Sequence, residues 1–306
     1  MDSASAKALH LGNLGRFNPR VDKGGAMLRL LSAATMAAYF FSPMLALAHG
    51  AVTPPAGFDC QARIATDTPV PAPAPGESDS WQCTAPSHHK LMTAERWFRD
   101  SLEYCRIATS TYQYAADAAR RAAAIHRRGT WVVFMDADET VLDNSLYERE
   151  RERCGESFSD ASWSKWLAAG IAAEIPGGAA FTQAVHRLGG YVAIVSNRDA
   201  SLDASTQANL KHLGIWFDYE TGDPAGTPSD KTSRWKGALA ALSAKTHKRL
   251  VPAMWVGDQV TDFGILDAHG DIVRAMSETD SGRGVGKRYF LIPNPIYGGW
   301  TKNSEN

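Results

Sequence analysis

The stretch Val132-Val133-Phe134-Met135-Asp136-Ala137-Asp138-Glu139-Thr140 decides the fold class of this chain. Its first four residues are apolar and include two β-branched valines, which is typical of a buried strand, and two carboxylates spaced two residues apart follow directly. A buried strand that ends in acids is the usual place for an active site in an open α/β sheet, because the site lies at the carboxyl ends of the strands. The alternative is that Asp136 and Asp138 cap a following helix.

Two further apolar runs, Tyr191–Val195 and Pro252–Val256, predict strands of the same buried kind. A helical pattern covers residues 93–126, as one long helix or two consecutive ones, and another helix is predicted from about Gly178 to Leu188. Strands that alternate with helices favour right-handed crossovers and a largely parallel sheet. We therefore predict an α/β fold with a sheet flanked by helices and with the polar strand ends gathered along one edge.

The segment between the first two predicted strands is too long for a plain crossover, so residues 142–175 are predicted to form a small helical cap over that edge. The Pro-rich run Thr68–Gly76 cannot form a ladder or a helix and is typical of an extended connector. The predicted organisation is a leader over residues 1–48, a Pro/Ala-rich segment over 49–90 and one compact domain over 91–306.

The leader has the pattern of a secretory signal peptide. Arg29 precedes an apolar stretch over residues 30–47, which closes on Ala46-Leu47-Ala48, an A-x-A cleavage pattern. Met27 is an alternative start that leaves a short basic region. An uncleaved membrane anchor is the competing interpretation, but the hydroxyl residues and the proline inside the stretch make it a poor span. No cysteine follows closely enough to carry a lipid.

The four cysteines all lie after the expected cleavage point, at Cys60, Cys83, Cys105 and Cys154. An exported chain with an even number of cysteines is permitted disulfides, and four cysteines allow three pairings. We expect a Cys60–Cys83 bridge across the Pro/Ala-rich segment. The scattered spacing lacks the paired C-x-x-C form of a zinc site, so sulfur ligation of a metal is not expected.

The charge balance argues against a polynucleotide partner. The chain has 32 basic and 33 acidic residues, a formal net charge of −1, and no Lys/Arg run of the length that binds nucleic acid. We expect a small-molecule ligand instead.

Polar residues gather at the predicted strand ends and beyond them: Asp136, Asp138, Ser196, Asn197, Arg198, Lys231, Asp258 and Asp262. Taken singly, each can be a cap, a turn or a surface charge. Together they suit phosphoryl transfer, which needs a nucleophile, positive charge around the phosphate oxygens and an acid for the departing oxygen. Several close carboxylates also need a hard cation, for which Mg²⁺ is the natural choice.

The run Asp136-Ala137-Asp138-Glu139-Thr140-Val141-Leu142-Asp143-Asn144-Ser145 resembles the signature of the class C acid phosphatases. These are exported members of the haloacid-dehalogenase (HAD) superfamily, and some are lipoprotein 5′-nucleotidases. The likeness covers roughly residues 90 to 300 and implies a Rossmann-like HAD core. It continues through Trp163-Ser164-Lys165-Trp166, Pro176-Gly177-Gly178, Val195-Ser196-Asn197-Arg198, Val256-Gly257-Asp258 and Pro293-Asn294-Pro295-Ile296-Tyr297-Gly298-Gly299-Trp300.

The resemblance implies roles for the acids. Asp136 would be the nucleophile and a metal ligand. Asp138 would be the general acid and base, and its main-chain carbonyl would bind the metal. Asp258 would be the remaining protein ligand, and Asp262 would support the metal's waters or orient Lys231.

It also implies a phosphate site. Ser196 and the amide of Asn197 would hold a phosphate oxygen, and Lys231 would balance charge on the nucleophile and the transferring group. Arg198 would either add a forked contact to phosphate or serve in a helix cap or salt bridge.

Aromatic residues near the cap have two interpretations. Trp163 and Trp166 are spaced to share one face of a cap helix, and Tyr297 lies in a glycine-rich tail. Such side chains are more often core than ligand platforms. The resemblance implies that Trp163 and Tyr297 stack on an aromatic leaving group such as a nucleobase.

The predicted protein is an exported, Mg²⁺-dependent acid phosphatase that hydrolyses phosphomonoesters, including 5′-nucleotides and aryl phosphates, through an aspartyl-phosphate. Without a lipid-attachment cysteine, a soluble periplasmic or secreted enzyme is expected, and a homodimer stays open. Two alternatives remain: a phosphotransferase that uses the same site, and a non-catalytic nucleotide- or haem-binding protein built on this scaffold.

Overall fold

The computed structural model describes residues 59–60, 81–82, 92–224, 230–274 and 284–302. These residues all belong to one compact unit, Thr53–Asn306. The predicted signal peptide and most of the Pro/Ala-rich segment lie outside the described residues. Within the described ranges, no helix combines the length and the apolar character that crossing a bilayer requires.

The domain alternates helices and strands, as the sequence predicts. Its helices are α1 (Thr93–Asp100), α2 (Leu102–Ile125), α3 (Ser145–Cys154), α4 (Asp160–Ala169), α5 (Gly178–Leu188), α6 (Asp203–His212) and α7 (Thr232–Thr246). Its strands are β1 (Trp131–Met135), β2 (Leu142–Asp143), β3 (Ala173–Glu174), β4 (Tyr191–Asp199), β5 (Tyr219–Asp223), β6 (Val251–Gly257), β7 (Gly264–Leu266), β8 (Ile272–Arg274) and β9 (Tyr289–Leu291). Short 3₁₀ helices cover Ala200–Leu202, Val260–Asp262 and Gly299–Lys302.

The central sheet has the strand order β5-β4-β1-β6-β9, and each neighbouring pair is parallel. The predicted α/β fold with a parallel sheet is confirmed. Strand β1 lies in the middle and every one of its residues is buried, which explains why its sequence is an unbroken apolar run. Because parallel strands end on the same edge, the residues that follow β1, β4 and β6 meet there.

The two faces of the sheet pack against different helices. Val133 and Met135 lie in a core cluster with Tyr112 of α2 and Phe181 of α5. The alternate residues of β1 lie in a second cluster with Trp235 of α7. A strand sends successive side chains to opposite faces, so one five-residue strand joins both cores and its carboxyl end is held rigidly.

The sequence left open whether residues 93–126 form one long helix or two consecutive ones, and it placed the end of a strand at Val195. The structure decides the first and changes the second. The helical pattern over 93–126 forms two helices, because Ser101 adopts an extended conformation and its hydroxyl accepts a hydrogen bond from the main-chain nitrogen of Tyr104 at 3.0 Å. The strand predicted to end at Val195 continues to Asp199 and pairs there with Asp223 after a register shift. This extension sets the direction of the polar side chains in Ser196-Asn197-Arg198.

The segment between β1 and helix α5 contains the helices α3 and α4 together with the strands β2 and β3. The two strands pair antiparallel, Leu142 with Glu174 and Asp143 with Ala173. This pairing brings the two ends of residues 142–175 together, so α3 and α4 form an excursion from the sheet edge.

The disulfide prediction is wrong. Cys60 is bonded to Cys105, with the two Cα atoms 5.8 Å apart, and Cys154 is disulfide-bonded as well. Cys105 lies on the buried face of α2, so the bond ties the residue at 60 directly to the helix that covers the sheet. The pairing follows from which helix face turns toward the N-terminal segment, and separation along the sequence does not report this. Cys83 lies outside the described residues.

Candidate active site

Three carboxylates meet at the carboxyl edge of the sheet. Asp136 follows β1, Asp258 follows β6, and Asp262 lies in the 3₁₀ helix after β6. Each is buried, and one oxygen of each lies within 4.8 Å of the others. The next helix after Asp136 begins at Ser145, so neither Asp136 nor Asp138 is a helix cap.

Gly257 makes the close approach of Asp262 possible. A Cβ atom at Gly257 would lie 2.3 Å from the Cβ of Asp262, a distance that real atoms do not tolerate. The main-chain nitrogen of Gln259 donates to Asp262 Oδ2 at 3.0 Å, which folds the turn back toward the strand end. The Gly-Asp sequence at the end of β6 therefore presents one acid directly and lets a second return beside it.

Lys231 lies among these acids and is not a surface charge. Its side chain is 3% exposed, and its Nζ donates to Asp136 Oδ1 and, at 2.8 Å, to Asp262 Oδ1. Burial alone would lower the pKa of Lys231, but the carboxylates of Asp136 and Asp262 hold it above its ordinary value. The ammonium of Lys231 is therefore charged at neutral pH and supplies the counter-charge to these two acids.

The acids still exceed the positive charge at this site. Burial, with the neighbouring acids, raises the pKa of Asp136 to about 7 although Lys231 lowers it. Burial also raises the pKa of Asp258 well above its ordinary value, with Asp262 and Asp136 adding to the shift. Three ionised carboxylates and one ammonium carry two net negative charges, which one divalent cation compensates. Oxygen-only donors of this kind suit a hard cation.

Asp258 is oriented by two side chains. Asn294 Nδ2 donates to Asp258 Oδ2 at 2.8 Å, and Thr140 Oγ1 lies 3.4 Å from Asp258 Oδ1. The main-chain carbonyl of Thr140 in turn accepts a hydrogen bond from the buried hydroxyl of Tyr112 on α2. The acid after β6 is therefore tied both to the loop after β1 and to the C-terminal tail.

Asp138 lies beside this cluster and forms an ion pair. Its Oδ1 accepts from Arg198 Nε at 2.9 Å, Arg198 Nη2 at 2.7 Å and Asn144 Nδ2 at 2.7 Å. Its Oδ2 lies 3.4 Å from Ser196 Oγ. The Arg198 side chain is 2% exposed, so its guanidinium is occupied within the protein.

The three residues at the end of β4 point in alternating directions. Ser196 and Arg198 are buried and face Asp138, while Asn197 between them is exposed and lines the cleft. Arg234 of α7 supports this turn, since its guanidinium donates to the carbonyl of Ser196 and, at 2.6 Å, to Asn197 Oδ1.

The acids open into a cleft of about 920 Å³. Trp163 and Tyr297 both line it, whereas Trp166 is buried in the core with 1% exposure. The ring of Trp163 packs edge-on against Tyr147 at 5.0 Å between centroids. The cleft therefore has an acidic floor, and three aromatic side chains line it: Trp163, Tyr297 and Phe158.

Four residues of this site carry no role in the sequence interpretation: Thr140, Asn144, Arg234 and Asn294. Asn144 and Asn294 lie inside runs that carry the family resemblance, and the roles implied for those runs belong to carboxylates and to an aromatic ring. Arg234 lies on α7 three residues after Lys231, which is the N-cap of that helix, and this spacing favours side chains on the same side of the helix. This helical spacing from Lys231 is the sequence feature that could have predicted Arg234 as a residue of the site.

The family model that describes HAD superfamily, subfamily IIIB (acid phosphatase) matches residues 76–300. The chain belongs to this family. As a HAD subfamily IIIB acid phosphatase it is a phosphomonoesterase, and it acts on small-molecule phosphoesters. The carboxylates, the lysine and the cleft lie within the matched residues.

Similar proteins come from a plant and a bacterium. The acid phosphatase is 25% identical over 233 residues to the stem 28 kDa glycoprotein of Glycine max, which covers 71% of this chain and 82% of the relative. It is also 25% identical to the stem 31 kDa glycoprotein of Glycine max over 231 residues, and this aligned region covers 71% of each chain. The class C acid phosphatase from Bacillus anthracis has a similar fold, with a TM-score of 0.56 at 23% identity over 68% of this chain and 84% of that one. A second structure of that enzyme, with tungstate bound, also gives a TM-score of 0.56, at 22% identity over 69% and 90%.

Proposed function

We propose that this acid phosphatase is an exported, Mg²⁺-dependent enzyme that hydrolyses aromatic phosphomonoesters, including 5′-nucleotides and aryl phosphates, through an aspartyl-phosphate on Asp136. The observation that carries the proposal is the position of Asp136 on the floor of the cleft, between the buried ammonium of Lys231 and the carboxylates of Asp258 and Asp262. A carboxylate held in this way is an oxygen nucleophile with its counter-charge already in place.

In the first step an oxygen of Asp136 attacks phosphorus, and the bond between phosphorus and the ester oxygen breaks. The leaving alcohol takes a proton from Asp138, which becomes a carboxylate. Lys231 holds Asp136 Oδ1 and thereby leaves Oδ2 to form the new bond. In the second step Asp138 takes a proton from water as that water attacks phosphorus, which releases phosphate and restores both acids.

The proposed metal ligands are the carboxylates of Asp136 and Asp258 and the main-chain carbonyl of Asp138, with Asp262 at the metal's waters. Asp262 already accepts from Lys231 and Gln259, which favours this supporting role. A bound Mg²⁺ supplies positive charge against the phosphate oxygens and the crowded carboxylates.

The phosphate group is proposed to lie between Lys231 and the end of β4. Asn197 reaches the cleft and is held by Arg234, and the hydroxyl of Ser196, also in β4, lies 3.4 Å from Asp138 Oδ2. The contacts of Arg198 favour the salt-bridge role over a direct phosphate contact, because its guanidinium already binds Asp138.

Export rests on the leader pattern and on the disulfide chemistry. Disulfides such as Cys60–Cys105 form and persist in oxidising compartments and are rare in the cytosol, which supports export. Two relatives are named glycoproteins, and glycosylation is a modification of exported chains. A periplasmic or secreted enzyme accords with these features, and an acidic pH optimum is what membership of the acid phosphatase family implies.

Hydrolysis of a chromogenic aryl phosphate tests the proposed activity and its metal. We expect turnover with Mg²⁺, loss of at least about 10²-fold with excess chelator, and recovery when Mg²⁺ is added back. Free phosphate is expected to equal the aryl alcohol released, even with a primary alcohol present. Phosphorylated alcohol as the main product would support a phosphotransferase, and nucleotide binding without any turnover would support a binding protein.

Replacing Trp163 by alanine tests the proposed stacking site. We expect kcat/KM to fall by about 10-fold for nucleoside monophosphates, because stacking on one aromatic side chain contributes about 1–3 kcal/mol, and to change little for a small alkyl phosphate. Trp216→Ala, at an exposed tryptophan that does not line the cleft, is the control. Equal losses on both substrates would make Trp163 a structural residue.

The raised carboxyl pKa values predict how the metal-free protein depends on pH. The folded state binds more protons than the unfolded state between the ordinary carboxyl pKa and about 7 for Asp136, so the free energy of unfolding falls as pH rises through this window. Mg²⁺ at 100 times its Kd at pH 8 is expected to raise the free energy of unfolding at pH 8 by about 2.7 kcal/mol. The same Mg²⁺ concentration is expected to raise it by much less at pH 5. Thermal melts at both pH values measure this; an equal Mg²⁺ effect at both would contradict it.

A further inference from the structure

Asn144 is a buried side chain whose amide touches four groups of the site. Its Nδ2 donates to Asp138 Oδ1 at 2.7 Å and lies 3.2 Å from Glu139 Oε1. Its Oδ1 accepts from Trp166 Nε1 at 2.8 Å and from Arg198 Nη2 at 3.1 Å. Because carboxylates lie on one side of the amide and N–H donors on the other, only one orientation of the amide satisfies all four contacts.

The two oxygens of Asp138 have unequal surroundings. Oδ1 accepts three N–H donors, one from Asn144 and two from Arg198, and has no capacity left for a substrate. Oδ2 has only the hydroxyl of Ser196, at 3.4 Å. Asp138 lines the cleft, so Oδ2 is the oxygen that remains for the reaction.

We propose that Asn144 is a positioning residue that fixes the carboxyl of Asp138 so that Oδ2 exchanges the proton with the leaving oxygen. This inference rests on the proposed function, in which Asp138 is the general acid. Removing the Asn144 amide leaves Oδ1 with Arg198 alone, and two donors from one guanidinium permit the carboxyl to rotate about them. A misplaced acid then lowers the rate of ester-bond cleavage most for substrates whose leaving alcohol depends on protonation.

The same amide ties the acid to the cap. Trp166, which donates to Asn144, lies on α4 together with Trp163, whose ring is 5.9 Å from the Arg198 guanidinium. Two routes therefore connect α4 with Asp138, one through Asn144 and one through Arg198. The wall proposed to hold the leaving group and the acid proposed to protonate it keep a fixed relation to one another.

Glu139 anchors the main chain of Asn144. Glu139 Oε1 accepts from the main-chain nitrogen of Asn144 at 2.9 Å, and Glu139 itself is fully buried with φ at +50°. A non-glycine residue held in the left-handed region costs on the order of 1–3 kcal/mol, so the surrounding contacts must hold it there. The amide of Asn144 is thus fixed from its backbone as well as from its four side-chain contacts.

Asn144→Ala tested on two substrates separates positioning from folding. For an alkyl phosphate, whose alcohol is a poor leaving group, we expect kcat/KM to fall by about 10²-fold. For dinitrophenyl phosphate, whose leaving group departs without a proton, we expect a loss of less than about 3-fold. The quantity kcat/KM reports the step in which the ester bond breaks, so slow breakdown of an intermediate does not obscure the comparison.

Three variants complete the experiment. Asn209→Ala removes another buried amide, which donates to the carbonyl of Ala172 at 2.9 Å outside the site, and is expected to affect both substrates alike. Trp166→Phe removes the N–H that holds Asn144 and is expected to give a smaller loss, again only on the alkyl ester; it tests the inference even if Asn144→Ala does not fold. Asp138→Asn is the reference for loss of the acid.

The outcomes of the two proposals are distinct. If Asp138→Asn loses activity equally on both substrates, the acid role of Asp138 fails and the inference on Asn144 fails with it. If Asp138→Asn is selective for the alkyl ester but Asn144→Ala and Trp166→Phe are not, the acid role stands and the positioning role is overturned. Selective loss in all three supports both.

Discussion

Replacing Asp136 by asparagine is expected to lower kcat on an aryl phosphate by about 10⁴-fold or more, because the amide keeps the shape of the side chain and loses the nucleophilic oxygen. The fold is expected to persist, since the change removes one negative charge from a cluster in which the acids raise one another's pKa. The measurement is kcat with saturating Mg²⁺, together with a thermal melt of each protein.

A matched control is Asp117→Asn on the solvent face of α2, where the carboxylate is 54% exposed and pairs with Arg120. This variant is expected to retain full activity. If Asp136→Asn kept more than about a tenth of the activity, the covalent role assigned to Asp136 would be wrong, whatever the state of its fold.

Replacing Lys231 by methionine is expected to reduce both activity and stability. Removing one partner of a buried ion pair costs about 3–5 kcal/mol, and here the carboxylates of Asp136 and Asp262 both lose their ammonium partner. Loss of the charge that faces the nucleophile and the phosphate is expected to lower kcat/KM by about 10²- to 10³-fold. Urea unfolding of the metal-free variant and kinetics with Mg²⁺ measure the two effects.

The pH dependence of this stability loss has a defined sign. The ammonium of Lys231 lowers the pKa of Asp136, so without it the carboxyl gains protons more readily and the penalty shrinks as pH falls. We expect a larger loss of unfolding free energy at pH 8 than at pH 5. Lys236→Met, at an exposed position on α7, is the control and is expected to change neither quantity. Equal effects of the two substitutions would contradict the proposed role of Lys231 in activity and in the stability of the acid cluster.

The strands that a sequence reveals most readily are those buried on both faces. β1, β4 and β6 lie in the interior of the sheet, and each contains an apolar run that predicts it. The structure confirms all three strands. The edge strands did not stand out. β5 reads Tyr-Glu-Thr-Gly-Asp, with only alternate residues buried, and β9 has three residues. Sheet pairing holds such segments in place, and a local apolar pattern does not report it.

The site was predictable in so far as it depends on strand ends. Asp136 and Asp258 follow β1 and β6, and the parallel topology brings them together. Asp262 joins them through the turn that Gly257 permits. The direction of Arg198 was not accessible in this way, because it depends on β4 continuing past Val195. Asn144 was missed for a related reason: its contacts join four segments that are distant in the chain or belong to different elements, and no spacing rule brings them together.

The account depends most on a bond between an oxygen of Asp136 and phosphorus, and trapping that bond is its most direct test. Asp138→Asn is expected to slow hydrolysis of the intermediate, while dinitrophenyl phosphate needs no acid to form it. After acid quenching of a reaction with ³²P-labelled substrate, we expect label on the protein to approach one phosphate per chain, on the peptide that contains Asp136. Release of dinitrophenol with label only in free phosphate, or on any other residue, would contradict the account.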